Sequence, residues 1–219
     1  MRRITHVIYD LDGTLLDTEP LYRLATQEIL DRYGALLTVE LRAAMIGRPT
    51  PIAARILVET TGIPMLAEAF AEERDTRLAS LFQTAQPTRG AMELTAHLRK
   101  HGIPQAVATS SMRHSLEAKR FAHSEWFASF DTIVTSEDVV HGKPAPDIFL
   151  EAARCLGGTS GGCLVFEDAP LGVQAALAAG MWVVALPEPG HEHLVAGAHQ
   201  VLAHLGEFDP TEWGLPAYR

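Results

Sequence analysis

The stretch Thr5-His6-Val7-Ile8-Tyr9-Asp10-Leu11-Asp12-Gly13-Thr14-Leu15-Leu16-Asp17 joins a short apolar run to two carboxylates, spaced two apart, and a glycine. The run Thr5 to Tyr9, β-branched and aromatic, predicts a buried strand. Open α/β sheets bind ligands outside the carboxyl ends of their strands, so these acids fall where a site belongs. Side chains two apart in an extended segment share a face. Asp10 and Asp12 can therefore approach one reacting centre while Gly13 lets the backbone bend away.

Similar runs recur at Gln105 to Ala108, Thr132 to Val134, Leu164 to Phe166 and Trp182 to Leu186, each closed by a polar cluster. Helical patterns lie between several of them, notably Ala91 to His101, Pro146 to Leu156 and Leu171 to Ala179. This alternation implies βαβ units and an α/β fold with a parallel sheet. Leu21 to Phe82 breaks it, with helical periodicity and no convincing strand. Gly34, the segment Gly47-Arg48-Pro49-Thr50-Pro51 and Gly62-Ile63-Pro64 divide that stretch into about four helices. The expected division is 1–17 with 88–219 for the sheet domain and 18–87 for the helical insertion. The glycine-rich stretch 157–162 follows a helix and precedes a strand, the reverse of a phosphate-cradling loop, and reads as a flexible connection.

The 219 residues are 47% hydrophobic and 21% charged, a globular composition that excludes disordered and fibrous classes. Eighteen Lys+Arg against 27 Asp+Glu leave a net charge of −9, which makes nucleic-acid polymers and anionic membranes poor partners. Cys155 and Cys163 are too few for a disulfide framework and wrongly spaced for a metal ribbon. Met1-Arg2-Arg3 is basic, but the apolar run after it meets Asp10 too soon for a signal segment or a membrane span. The expectation is a soluble cytoplasmic protein, monomeric or weakly dimeric.

Three further clusters carry chemistry. Thr109-Ser110-Ser111 offers hydroxyls and backbone N–H groups that can hold an anion. Gly142-Lys143-Pro144-Ala145-Pro146-Asp147 restricts the backbone around one lysine, and Glu167-Asp168 closes a strand. Asp10, Asp12 and Asp168 meeting at one sheet edge would repel by about 4 kcal/mol per pair at 4 Å and an effective dielectric near 20, unless a cation sits among them. Oxygen ligands alone point to Mg²⁺, which commonly shares its shell with a substrate phosphate. With Thr109 and Lys143 supplying the hydrogen-bonding and positive side, the set reads as a phosphoryl-transfer site for a small phosphate ester.

In this order and spacing, Asp10-x-Asp12, Thr109, Lys143 and Glu167-Asp168 resemble the four motifs of the haloacid-dehalogenase superfamily. The resemblance implies a Rossmann-like core with a small α-helical cap. It further implies Asp10 as nucleophile, Asp12 as general acid and base, and Thr109, Ser110 and Lys143 on the phosphate. Mg²⁺ would be held by Asp10, the backbone carbonyl of Asp12 and Asp168, with Glu167 acting through a water. An aspartate two residues after the nucleophile can protonate a departing alkoxide, which favours a phosphatase over dehalogenase or transport-ATPase relatives. The competing expectation is a β-phosphoglucomutase-like isomerase, which uses the same pair but needs cap cations for a second phosphate; the 47–51 loop offers only Arg48. Arg48 is expected to face substrate, and Glu19 to cap a helix or help close the site. His97 and His101 lie four apart on a helix, but the intervening Leu98-Arg99-Lys100 lacks the glutamate of a zinc-protease motif and its cations suit an exposed helix C-terminus, which argues against a zinc pair.

Overall fold

A computed structural model describes residues 4–45, 48 and 50–218; Met1-Arg2-Arg3, Ile46, Gly47, Pro49 and Arg219 lie outside them. By contacts the chain divides into two compact units, Met1–Asp17 with Gln86–Arg219, and Thr18–Ala85. The first unit opens with strands β1 (His6–Tyr9) and β2 (Leu16–Asp17). The second holds helices α1 (Glu19–Asp31), α2 (Val39–Met45), α3 (Thr50–Thr61) and α4 (Ala67–Leu81). The chain then returns through β3 (Gln86–Pro87), α5 (Ala91–Lys100), β4 (Gln105–Ala108), α6 (Arg113–Arg120), α7 (Ser124–Phe127) and β5 (Thr132–Val134). It ends with α8 (Asp147–Leu156), β6 (Cys163–Glu167), α9 (Pro170–Ala178), β7 (Trp182–Ala185) and β8 (Gln200–Val201).

The six-stranded sheet has the order β5-β4-β1-β6-β7-β8, and its pairings are parallel. This is the Rossmann-like α/β arrangement expected from the alternation. The chain builds outward from β1 on one side, crosses back, and builds outward from β6 on the other. The switch point therefore lies between β1 and β6, where such sheets open a ligand crevice.

Both faces of the sheet are covered, which is why its strands read as unbroken apolar runs. Ile8, Ala106, Ala108, Val165 and Val183 share one face with Phe149 and Ala152 of α8 and Ala175 and Ala176 of α9. On the other face Tyr9 stacks on Phe166 at 5.3 Å, and Phe166 meets Phe208 of the C-terminal tail edge-on at 4.8 Å. Tyr9 is fully buried. Its hydroxyl donates to Gln105 Oε1 at 2.9 Å, and Gln105 Nε2 donates to the Thr95 carbonyl at 3.0 Å. The helical unit has a core of its own, formed by Ile29, Leu30, Leu41, Ala54, Leu57, Ile63 and Phe70. Among the described residues no helix is long and apolar enough to cross a membrane.

Four features depart from the sequence reading. The two-residue strands β2 and β3 pair antiparallel, Leu16 with Pro87 and Asp17 with Gln86, at the junction of the units. Helices α6 and α7 and strand β8 were not anticipated. Glu167 is the last residue of β6 rather than part of the turn after it. The 157–162 connection is packed rather than loose: Thr5 N–H donates to the Gly162 carbonyl at 2.9 Å, and the Gly158 backbone lies against the His6 ring.

Replacing Gln105 with Leu strands the buried Tyr9 hydroxyl. A loss of about 1–3 kcal/mol is expected in urea denaturation, and the double variant Tyr9→Phe with Gln105→Leu should recover part of it. A double variant no more stable than Gln105→Leu would show that the Tyr9 hydroxyl is satisfied by some other group.

Candidate active site

Strand β1 delivers the site. Asp10 N–H donates to the Phe166 carbonyl at 2.9 Å, extending the β1–β6 ladder by one residue, and pleat alternation puts Asp10 on the Ile8 face. There it meets Lys143, which enters from the loop before α8 with its ammonium 5.0 Å from the Phe149 ring centroid. Lys143 Nζ donates to Asp10 Oδ1, to Glu167 Oε1 at 2.7 Å and, weakly, to the Ala108 carbonyl at 3.4 Å. The other Glu167 oxygen accepts from Ala169 N–H at 2.7 Å. The Glu167 carboxylate also lies so close to Gly172 that a side chain at that position would displace it.

After Asp10 the chain turns back on itself. Gly13 takes φ +82°, a conformation costly for other residues, and its N–H donates to the Leu16 carbonyl at 2.8 Å. The Asp168 carboxylate lies where a Cβ on Gly13 would sit, and Thr14 Oγ1 donates to Asp168 Oδ1 at 3.3 Å. Glycine at position 13 thus serves both the turn and the approach of Asp168 to the backbone just after Asp12.

Asp12 faces a different partner. Lys119 Nζ lies 2.6 Å from Asp12 Oδ1 and 2.7 Å from Oδ2, and also donates to Ser111 Oγ at 2.7 Å. The Ser111 hydroxyl donates to Asp12 Oδ2 at 2.9 Å. Thr109 is fully buried, with its hydroxyl accepting from Ser111 N–H at 3.0 Å.

The structure therefore gathers Asp10, Asp12, Thr109, Lys143, Glu167 and Asp168 at one end of the sheet. Ser110 is exposed, and its neighbour Ser111 is the hydroxyl that reaches Asp12. Glu19 and Arg48 belong to the helical unit. Glu19 stands in the first turn of α1 and pairs with Arg42 at 3.1 Å. Arg48 is exposed, with Nε donating to the Ala44 carbonyl at 2.8 Å. Sequence reasoning missed Lys119, and placed Ser111 only in an anion-binding triplet, not on Asp12. The only signal for Lys119 was its position three after the buried Leu116, which puts the two on one helical face.

The electrostatics favour a cation. Burial pushes Asp10 from an ordinary 3.8 up to about 7, repulsion from Glu167 and Asp12 adds to this, and Lys143 opposes it. Burial also raises Asp168, with Glu167 and Asp10 adding. Burial alone would pull the Lys143 ammonium down, but Asp10 and Glu167 more than reverse that, so it stays charged. Among the described residues no three His, Cys, Asp or Glu side chains form a metal cage by themselves. The donor set nonetheless fits Mg²⁺, which uses one or two carboxylates and completes its shell with waters and phosphate. Asp10 and Asp168 are hard donors short of positive charge, and the glycine at 13 leaves Asp168 beside the Asp12 backbone.

A parallel sheet that ends in paired aspartates, a buried lysine and a second acidic pair across its switch point is a Rossmann-like core, here carrying an inserted helical unit. Residues 4–180 match the family model of haloacid dehalogenase-like hydrolases, and the chain belongs to that family. It is 42% identical to a probable pseudouridine-5'-phosphatase of Drosophila melanogaster over 100% of this chain and 97% of the relative. It is also 42% identical to (DL)-glycerol-3-phosphatase 1, mitochondrial, of Arabidopsis thaliana, over 99% of this chain and 75% of that one. Among solved structures, a family hydrolase from Deinococcus radiodurans R1 with bound phosphate and sodium superposes with a TM-score of 0.82, at 27% identity and 100% coverage of both chains.

A carboxylate whose pKa is raised by folding binds more protons in the folded than in the unfolded chain. Its contribution to stability is fully present below 3.8 and is lost as pH rises through about 7. Chemical denaturation in chelator should accordingly show stability falling across that window, and added Mg²⁺ should flatten the fall. The same slope with and without Mg²⁺ would show that the ion does not meet these carboxylates.

Proposed function

We propose that the protein is a Mg²⁺-dependent phosphomonoesterase that hydrolyses a small phosphorylated metabolite through an aspartyl-phosphate on Asp10. The observation that carries this reading is the buried Asp10 carboxylate at the β1–β6 switch point, held by Lys143, with the partly exposed Asp12 carboxylate two residues on.

In the first half-reaction an Asp10 oxygen attacks phosphorus in line with the ester oxygen. The new O–P bond forms as the ester P–O bond breaks, and the departing alkoxide keeps the electron pair and takes a proton from Asp12. In the second, a water gives its proton to Asp12 and attacks phosphorus. The bond to Asp10 then breaks and inorganic phosphate leaves. Lys143, Thr109 and Ser110 are assigned to the phosphoryl oxygens. Asp10, Asp168 and the Asp12 carbonyl are the proposed Mg²⁺ ligands, with Glu167 reaching the ion only by way of water. When bound, Mg²⁺ supplies neutralisation of the phosphoryl charge.

Residues 18–87 are assigned the part of a cap that excludes bulk water, with the exposed Arg48 meeting the polar part of the substrate. Glu19, tied to Arg42, is assigned to holding the start of α1. The substrates in the names of the two relatives, pseudouridine 5'-phosphate and glycerol 3-phosphate, are both monoesters of primary alcohols, and that is the class proposed here. Pseudouridine 5'-phosphate heads it.

Phosphate release from a panel of primary-alcohol phosphates, with and without Mg²⁺, tests the reading. Release that requires Mg²⁺ is expected, and Asp10→Asn should lose at least about 10³-fold in kcat while keeping its fold by circular dichroism. Conversion of β-glucose 1-phosphate to glucose 6-phosphate without phosphate release would replace the phosphatase with a mutase. Near-normal turnover by Asp10→Asn would overturn covalent catalysis.

A further inference from the structure

We infer that Lys119 is a positioning residue for Asp12, fixing the orientation in which that carboxylate serves the departing alkoxide; this rests on the reaction proposed above. Lysine is almost never fully buried unless paired. A lysine that merely filled space would lay its stem along the core and lift its ammonium into water. Lys119 does the opposite. It is 0% exposed, and its Nζ spans both Asp12 oxygens at 2.6 and 2.7 Å. Ser111 closes the triangle, accepting from Lys119 at 2.7 Å and donating to Asp12 Oδ2 at 2.9 Å.

The Asp12 side chain keeps 28% of its surface exposed. It is gripped on one side and open on the other, as a group that must meet a substrate oxygen in one orientation requires. The two buried lysines divide the work, Lys143 serving Asp10 and Glu167, and Lys119 serving Asp12. A mispositioned acid matters most when the leaving group needs a proton, so the signature of Lys119 lies in leaving-group dependence rather than in overall activity.

The test compares kcat/KM for glycerol 3-phosphate, which leaves as an alkoxide, with that for 4-nitrophenyl phosphate, whose phenolate leaves unaided, in wild type, Lys119→Met, Ser111→Ala and Asp12→Asn. For Lys119→Met a loss of about 10- to 100-fold on the alkyl ester is expected, with less than about 3-fold on the aryl ester. Equal losses on both esters would mark Lys119 as merely structural and overturn the inference. So would unchanged alkyl activity in Lys119→Met alongside a selective loss in Asp12→Asn, an outcome that leaves the phosphatase reading standing. No selective loss in Asp12→Asn would instead remove the acid role from Asp12, and the inference with it. If Lys119→Met does not fold by circular dichroism, Ser111→Ala decides: a selective alkyl loss of about 3- to 10-fold supports the triangle, and none overturns it.

Discussion

Three carboxylates and one ammonium share the closed end of strands β1 and β6: Asp10, Glu167 and Asp168 against Lys143. Asp12, which adds to the repulsion on Asp10, carries its own counter-charge in Lys119. What remains is a shortfall of two positive charges in a poorly solvated place, where each uncompensated pair costs on the order of 4 kcal/mol at contact distance. Protons can fill the shortfall, which is what the raised Asp10 and Asp168 express, or a divalent ion can. The second solution suits an enzyme, because an ion that neutralises carboxylates also attracts a phosphate. On the proposed reading, the same imbalance is what would draw the ion and its phosphate to the site.

The sheet makes this concentration of charge tolerable. Parallel strands buried on both faces hold their carboxyl ends in fixed register, so Asp10 and Glu167 are anchored by ladder hydrogen bonds rather than by loops: Asp10 N–H to Phe166, and Leu186 N–H to the Glu167 carbonyl at 2.8 Å. The Tyr9–Gln105–Thr95 network behind them ties β1, β4 and α5 together one residue before Asp10. The groups that approach from loops, Lys143 and Ser111, are held instead by side-chain bonds to Asp10, Glu167 and Asp12.

Much of this was legible in the sequence. The β1, β4, β5, β6 and β7 runs stood out because burial on both faces makes them continuously apolar, and the acids closing β1 and β6 marked the switch point. The missed elements lacked that signal. Strands β2, β3 and β8 are two residues each, too short for any period. Helix α6, Arg113–Arg120, shows one large apolar residue, Leu116, so its buried face was hidden behind a lysine that looks solvated on paper. Ser110 and Ser111 are chemically identical neighbours, and only the backbone path after β4 decides which of them turns toward Asp12. Glu167 adjoins Asp168 in the sequence, but its pairing with Lys143 at the end of β6 could not be read from that adjacency.

The division of the chain into two units bears on how substrate choice and chemistry are separated. The helical unit packs around its own core of Leu30, Leu57, Phe70 and their neighbours, so its surface residues can change without disturbing the charge cluster in the sheet unit. Two relatives equally identical to this chain are named for different phosphate esters. On the proposed reading, Asp10, Lys143 and their partners carry the chemistry that such phosphatases would share, and a preference among esters would fall to residues that neither core needs. The exposed Arg48, on the segment between α2 and α3, is of that kind.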